Sequence, residues 1–229
     1  MFFPLLACKS RPAAGKSDQQ IFKLQRAQNW LRLPEFMNVI TISRQLGVQG
    51  LAISKKIASR LGCTLYWREI INQAALRCGT PDVALAVIDE LGLLDVQPSR
   101  EALDNYHKAV REIIEEFAAA GNAVILGRAG QVILKDHPAV LHIRLFATQS
   151  FRAAALASQN NISIQSAQAQ VTASDEYRRD YLLQNYGVDW QDPALYHLII
   201  NMGKFTQQQA VELIIDACQQ PAKTTSPSS

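Results

Sequence analysis

The chain has 229 residues, of which 48% are hydrophobic and 19% charged, enough apolar material for one sizeable core and little for a second. The formal net charge is +3, which argues against a protein built to coat nucleic acid or an anionic membrane. No apolar run approaches the roughly 20 residues of a membrane span. Four cysteines (Cys8, Cys63, Cys78, Cys218) and four histidines (His107, His137, His142, His197) are scattered. None stands at metal-ligand spacing, so the expectation is reduced thiols in a cytoplasmic protein and no metal centre.

Residues 1–36 read as an extension or linker. The opening MFFPLLACKS imitates an export signal with a lipobox-like end, but it lacks a basic start and its apolar stretch is broken by Pro4. Ala14-Gly15-Lys16-Ser17 matches the second half of a Walker A loop. Ser10 stands where the first glycine belongs and Pro12 lies inside the loop, so the match is taken as a decoy. A short helix is expected over 21–33. Met37 directly precedes the first strand and is read as close to the natural start of the domain, placed at 37–219. The tail, 220–229, is rich in Pro and Ser and is expected to be disordered.

Between these ends the pattern alternates. Residues 39–43 form a β-branched apolar run, a buried strand. Helical spacing follows over 50–61 and stops at Gly62. A short strand is predicted at 64–66, then helices near 68–77, 81–91 and 99–120. Strands follow at 123–126 and 140–146, a helix at 150–158, and a long polar helix or helix pair at 164–186. A last strand at 195–201 and a helix at 206–219 close the domain. Short apolar strands alternating with helices give an α/β fold: a mostly parallel sheet covered by helices on both faces. In such sheets ligands sit beyond the carboxyl ends of the strands.

Two strand ends carry candidate chemistry. After the first comes Ser43-Arg44-Gln45-Leu46-Gly47-Val48-Gln49-Gly50, opening a helix. A strand, a glycine-containing turn and a helix N-terminus gather backbone N–H groups suited to an anion. The loop has two glycines but not the Lys and Ser/Thr of a full Walker A. Taken alone, it fits an ordinary strand–helix turn as well. After the strand at 123–126 comes Gly127-Arg128-Ala129-Gly130. Arg128 would project from the sheet's carboxyl end, either toward a phosphate or toward a surface carboxylate.

The stretch 39–47 followed by Gly50 resembles the opening of the cytidylate kinase-like family. Leu126-Gly127-Arg128 resembles its second signature. Tyr186-Gly187-Val188-Asp189-Trp190, with Asp192-Pro193, Tyr196 and Ile199-Ile200-Asn201, is similar to its third, and Asp175 with Arg178 fits its D-x-x-R stretch. Order and spacing agree over about residues 38–218. The resemblance implies a three-layer P-loop NTPase fold, ATP–Mg²⁺ as donor and a nucleoside monophosphate, CMP-type, as acceptor. It implies that Gly47, Val48, Gln49 and Gly50 cradle the donor phosphates and that Arg44 lies at the loop's entrance. It also implies that Arg128 holds the acceptor's phosphate and that Arg178 reaches in from the lid.

The departures are as specific. The family loop is close to G-S-G-G-R-E, whereas Gly47-Val48-Gln49-Gly50-Leu51-Ala52 stands here. The hydroxyl expected at Mg²⁺ and the cation of the next helix turn are gone, and Val48 is expected to restrict the backbone near phosphate. Trp67 replaces the family's Asp after the second strand. Arg152 is retained, but Ala153-Ala154-Ala155 occupies the place of the next Arg. Asp89-Glu90 is a possible substitute carboxylate pair. Trp190, Tyr196 and Tyr186 read as packing and loop-fixing residues ahead of base-stacking ones. The Glu112–Glu116 cluster reads as a solvated helix face. Three readings follow: a CMP-type kinase, a non-catalytic nucleotide- or partner-binding protein that kept the fold, and a kinase acting on another small molecule.

Overall fold

The structure is a computed structural model that describes residues 37–79 and 99–220. The predicted helices at 21–33 and 81–91, the Asp89-Glu90 pair and all of the predicted tail but its first residue fall outside the described residues.

Five strands form one sheet: β1 Val39–Arg44, β2 Thr64–Tyr66, β3 Ala123–Leu126, β4 Val140–Phe146 and β5 Leu198–Asn201. Their order is β2-β3-β1-β4-β5, and every neighbouring pair is parallel. The helices are α1 Gly50–Leu61, α2 Arg68–Cys78, α3 Arg100–Ala120, α4 Gly130–Ile133, α5 Gln149–Asn160, α6 Ile164–Tyr186 and α7 Gln207–Cys218. The central strand is buried from Val39 to Ser43 because both of its faces are covered. Ile40 and Ile42 face one side and pack with Val124, Leu141 and Ile143 against Ile53 and Ile57 of α1 and Val211 and Ile214 of α7. Val39 faces the other side and packs with Ile125 and Val140 against Ile70 of α2 and Tyr106, Ile113 and Ile114 of α3. Three layers result, as the alternation predicts.

Local chemistry sets most boundaries. Ser99 caps α3, Thr148 caps α5 and Ser163 caps α6, each accepting a backbone N–H with its hydroxyl, while Thr206 and Gln209 form a reciprocal capping box on α7. The long helix is continuous to Tyr186 and ends where Gly187 turns left-handed (φ 67°) and donates to Leu182 and Leu183. The last strand is shorter than the apolar run predicts. Pro193 and the Asp192 side chain, which accepts from Ala194 N, fold residues 193–195 into a 3-10 turn, and pairing begins at Leu198.

A histidine is buried against the sheet. His142 of β4 is 2% exposed. Its Nδ1 lies 2.7 Å from Thr41 Oγ1, its backbone N–H donates to His197 Nδ1 at 3.0 Å, and the two imidazoles stack with centroids 4.8 Å apart. Burial pushes its pKa down to about 4, helped by His197 and His137 and opposed by the Leu134 carbonyl. An unfolded chain binds this proton near pH 6.5, so between these values it carries a proton the folded chain does not. The contribution to stability is complete above pH ~6.5 and is lost as pH falls toward 4, amounting to about 3 kcal/mol. Urea denaturation between pH 7 and pH 4 should show this loss. His142→Gln should flatten it, leaving the contributions of His107, His137 and His197, whose pKa values burial also lowers.

Candidate active site

The loop after β1 is held at the carboxyl edge of the sheet by backbone and side-chain bonds. Gln45 N donates to Leu145 O at 3.1 Å and holds the chain to β4 for one more residue. Gly47 then turns left-handed (φ 90°). A Cβ there would lie 2.6 Å from the carbonyl oxygen of Arg152, so glycine is required on two counts. Gln49 is also left-handed (φ 56°), stands at the N-cap of α1 and forms no side-chain cap. The first amides of α1 therefore receive no side-chain cap from Gln49. Val48 corrects an expectation. Its side chain is 2% exposed and belongs to the core with Ile53 and Ile57. The left-handed torsions fall on its neighbours, so it anchors the loop without obstructing the backbone's approach to a ligand.

Arg152 closes one side of the loop. Its side chain is 4% exposed and is paired with Asp175 of α6 through two bonds, Nη1 to Oδ1 at 3.1 Å and Nη2 to Oδ2 at 2.7 Å. Nε donates to Ala147 O at 3.1 Å and Nη1 also reaches Leu46 O at 3.5 Å. Gln45 completes the knot, accepting from Ala147 N at 3.0 Å and donating to Asp175 at 3.5 Å. The arginine retained from the family pattern thus joins α5, α6 and the loop, with its donors spent on the protein.

The other three arginines gather elsewhere. Arg44, Arg128 and Arg178 line one cavity with Ser43, Tyr181 and Trp190. Among the described residues that line it there is no carboxylate. Arg44 leaves the end of β1 and runs between two glycines. A Cβ on Gly50 would lie 2.7 Å from its Cγ, and a Cβ on Gly127 would lie 2.5 Å from its Nη1. Gly50 and Gly127 therefore make room for this side chain, a packing role invisible in the motif. Arg128 sits in a run of three left-handed residues, Gly127, Arg128 and Ala129 (φ 79°, 56° and 55°). Two of these are not glycine, a strain of the kind that collects at functional sites. Gly127 N donates to Ile42 O at 2.9 Å, which pins the turn to the end of β1. Arg178 bonds back to Ser174 one helical turn away.

Sequence reasoning did not single out Ser43, Tyr181 or the buried Arg144. Arg144 is 7% exposed, stacks under Trp190 at 4.5 Å and beside Tyr196 at 5.5 Å, and donates to the Trp190 carbonyl. The Tyr196 hydroxyl donates to the same carbonyl at 2.7 Å. These two fix the loop that presents Trp190 to the cavity, so Tyr196 is the loop-fixing residue expected, whereas Trp190 is part of the wall. The Glu112–Glu116 face is largely solvated as expected, although Glu116 pairs with Arg77 at 2.7 Å across the α2–α3 contact.

A parallel sheet of this order, with a glycine turn and helix N-terminus after its central strand, defines a P-loop α/β protein. The chain belongs to the cytidylate kinase-like family, whose model matches residues 39–204. Among relatives, it is 29% identical over 183 residues to the cytidylate kinase of Pyrococcus horikoshii, covering 80% of this chain and 88% of that one. It is 24% identical over 180 residues to the cytidylate kinase of Pyrobaculum arsenaticum, covering 79% and 92%. Among solved structures, an uncharacterized protein from Eubacterium ventriosum shares the fold, with a TM-score of 0.61 at 19% identity over 78% of this chain and 96% of that one. No helix among the described residues is long and apolar enough to cross a membrane.

Removing the Asp175 carboxylate would leave Arg152 buried without its counter-charge. Asp175→Asn should cost about 2–3 kcal/mol, at the low end for a buried pair because Asp175 is 27% exposed. Chemical denaturation at neutral pH measures it.

Proposed function

We propose that this protein transfers a phosphoryl group from ATP to a nucleoside monophosphate of the CMP type. The observation that carries the reading is the convergence of Arg44, Arg128 and Arg178, from three different elements, on one cavity beside the β1–α1 turn. Phosphoryl transfer asks a protein mainly for positioning and for cations around the transferring group. In this reading the amides of Gly47, Val48, Gln49 and Gly50 hold the donor phosphates, and Arg128 holds the acceptor's phosphate. Arg44, wedged between Gly50 and Gly127, stands between the two. Arg178 neutralises charge on the group in transit. An oxygen of the acceptor's phosphate attacks the terminal phosphorus of ATP, and the bond to the bridging oxygen breaks as ADP leaves.

The loop fits the phosphates better than the metal. The side chains of Leu51 and Ala52 carry no oxygen, and the hydroxyl of Ser54 donates to Gly50 O at 2.8 Å inside the helix. Among the described residues no three metal-ligating side chains come together. Among the described residues of the β1–α1 turn and the first turn of α1, no side chain offers Mg²⁺ a free hydroxyl or carboxylate oxygen, and no step is derived through it.

One observation favours a second reading, a nucleotide-binding protein without catalysis. Arg152 is engaged by Asp175 and backbone carbonyls, and no cation stands at Leu51 or Ala52. Both readings are tested by following ADP formation from ATP–Mg²⁺ with CMP, dCMP and other monophosphates. Turnover with CMP is expected, and Arg128→Ala should lower kcat/KM by about 10²–10³ with the circular dichroism spectrum unchanged. CMP binding in a calorimeter without turnover would establish the second reading. Turnover unchanged in the variant would remove Arg128 from the proposed role.

A further inference from the structure

Two arginines among the described residues are buried, Arg152 and Arg144, and they differ in counter-charge. Arg152 is paired with Asp175 through two bonds. Arg144 of β4 is 7% exposed and hydrogen-bonds the Trp190 carbonyl. Its guanidinium otherwise lies over two aromatic faces, 4.5 Å from the ring centre of Trp190 and 5.5 Å from that of Tyr196. Among the described residues no carboxylate pairs with it. The two acids beside Trp190 are exposed and hold their own turn: Asp189 accepts from Gln191 N at 2.9 Å and Asp192 from Ala194 N at 2.8 Å. Two residues back along β4, His142 is uncharged at neutral pH because burial pushes its pKa down to about 4. The pKa of His197, stacked on it, is lowered too.

A buried guanidinium without an opposing charge is costly and calls for a physical account. Holding the loop is not that account. The Tyr196 hydroxyl already donates to the same carbonyl at 2.7 Å, and a neutral donor would serve there as well. Stacking on two rings offsets part of the cost and leaves the charge itself without a use. Arg144 is the register partner of Ser43, and the Tyr196 hydroxyl lies 3.4 Å from Ser43 Oγ. Ser43 and Trp190 both line the cavity of Arg44, Arg128 and Arg178. Arg144 therefore stands one residue behind that wall, in surroundings that screen charge far less than water does. The other titratable groups of the lining are Tyr177 and Tyr181, and burial holds the Tyr181 phenol well above its ordinary range.

We propose that Arg144 is a specificity-determining residue that acts through the cavity wall, its charge making the cavity prefer a doubly ionised phosphate to a singly ionised one. The inference rests on the reading of this cavity as the acceptor's phosphate position. A phosphate monoester loses its second proton near pH ~6. A cation is attracted twice as strongly by the double charge as by the single one. At this range one cation favours the doubly ionised form by about three- to tenfold, which lowers the pKa of the bound phosphate by about 0.5–1 pH unit.

The test uses the full chain with Arg144→Met, which keeps the stem and removes the charge, and Arg144→Lys, which keeps the charge. Arg128→Ala is measured beside them, and CMP and inorganic phosphate are the probes. The readouts are the melting temperature without ligand, affinity by calorimetry, and the ³¹P resonance of the phosphate at saturation as pH is varied. Arg144→Met should melt within about 4 °C of wild type or above it, because the charge removed had no carboxylate. At neutral pH it should bind CMP about ten- to a hundredfold more weakly, and its bound phosphate should titrate about 0.5–1 pH unit higher than in wild type. Arg144→Lys should restore most of both. A residue kept only to hold the loop behaves otherwise: Arg144→Met would melt lower and its bound phosphate would titrate as in wild type. An unmoved phosphate titration overturns the proposal, as does an equal rise in Arg144→Lys. Should Arg144→Met fail to fold, Arg144→Gln takes its place, and loss of folding in both overturns the proposal. If wild type binds neither probe, this proposal and the functional reading fall together. Inorganic phosphate bound with the expected dependence on Arg144, but no CMP, removes the functional reading and keeps this one. CMP binding lost in Arg128→Ala, with the titration unmoved in Arg144→Met, leaves the functional reading standing and removes only this one.

Discussion

The candidate site depends on where the Arg44 side chain can go. It leaves the last residue of the central strand, and its stem and head occupy the volumes that side chains on Gly50 and Gly127 would fill. One arginine thus fixes the distance between the turn after β1 and the turn after β3. The first turn holds the helix start with its open amides, and the second holds Arg128. The Gly127–Ile42 backbone bond keeps the two turns in register. Both glycines are required by packing here: a side chain on either would collide with the Arg44 side chain and displace it.

The fold was legible from the periodicity because the inner strands β1, β3 and β4 are buried on both faces, so each reads as a run dominated by apolar residues. Helix ends were legible where a hydroxyl cap or a left-handed glycine marks them. Pro193 gave fair warning that the apolar run before β5 would not all pair. The positions of Arg44, Arg128 and Arg178 followed from strand ends and family spacing, and the structure brings them to one cavity. What the sequence hid was direction. Nothing in D-x-x-R says that Asp175 turns to Arg152 while Arg178 turns to the cavity. Nothing in the loop says that Val48 points into the core. Arg144 looked like one more residue of an apolar strand, because a buried guanidinium stacked between two aromatic rings leaves no periodic trace.

The altered loop looks less damaged in three dimensions than in the motif. Val48 takes no space from a ligand, and the left-handed torsions that open the turn fall on Gly47 and Gln49. Leu51 packs partly against the core, so its apolar character is used. What is missing is charge: no cation at the first turn of α1 and no hydroxyl facing outward there. Arg152 does not replace it, because leaving Asp175 would strand a buried carboxylate interaction that holds α5 and α6 to the loop.

In the proposed function, the charge that remains lies on the acceptor side. Arg44, Arg128 and Arg178 surround one cavity, Arg144 stands behind its wall, and the strained turn at 127–129 presents the central member of the set. Coulomb attraction in a partly buried site falls slowly with distance compared with water. Cations on the acceptor side therefore still act on charge that develops at the transferring phosphorus a few ångströms away. In the proposed function, a chain without the donor-side cation but with this cluster would bind its acceptor phosphate through fixed arginines and leave the donor to backbone amides and the helix dipole. Such a division favours tight acceptor binding and slow transfer, because the amides bind the donor's phosphates alike in ground state and transition state. Only groups that bind the transition state more strongly raise the rate.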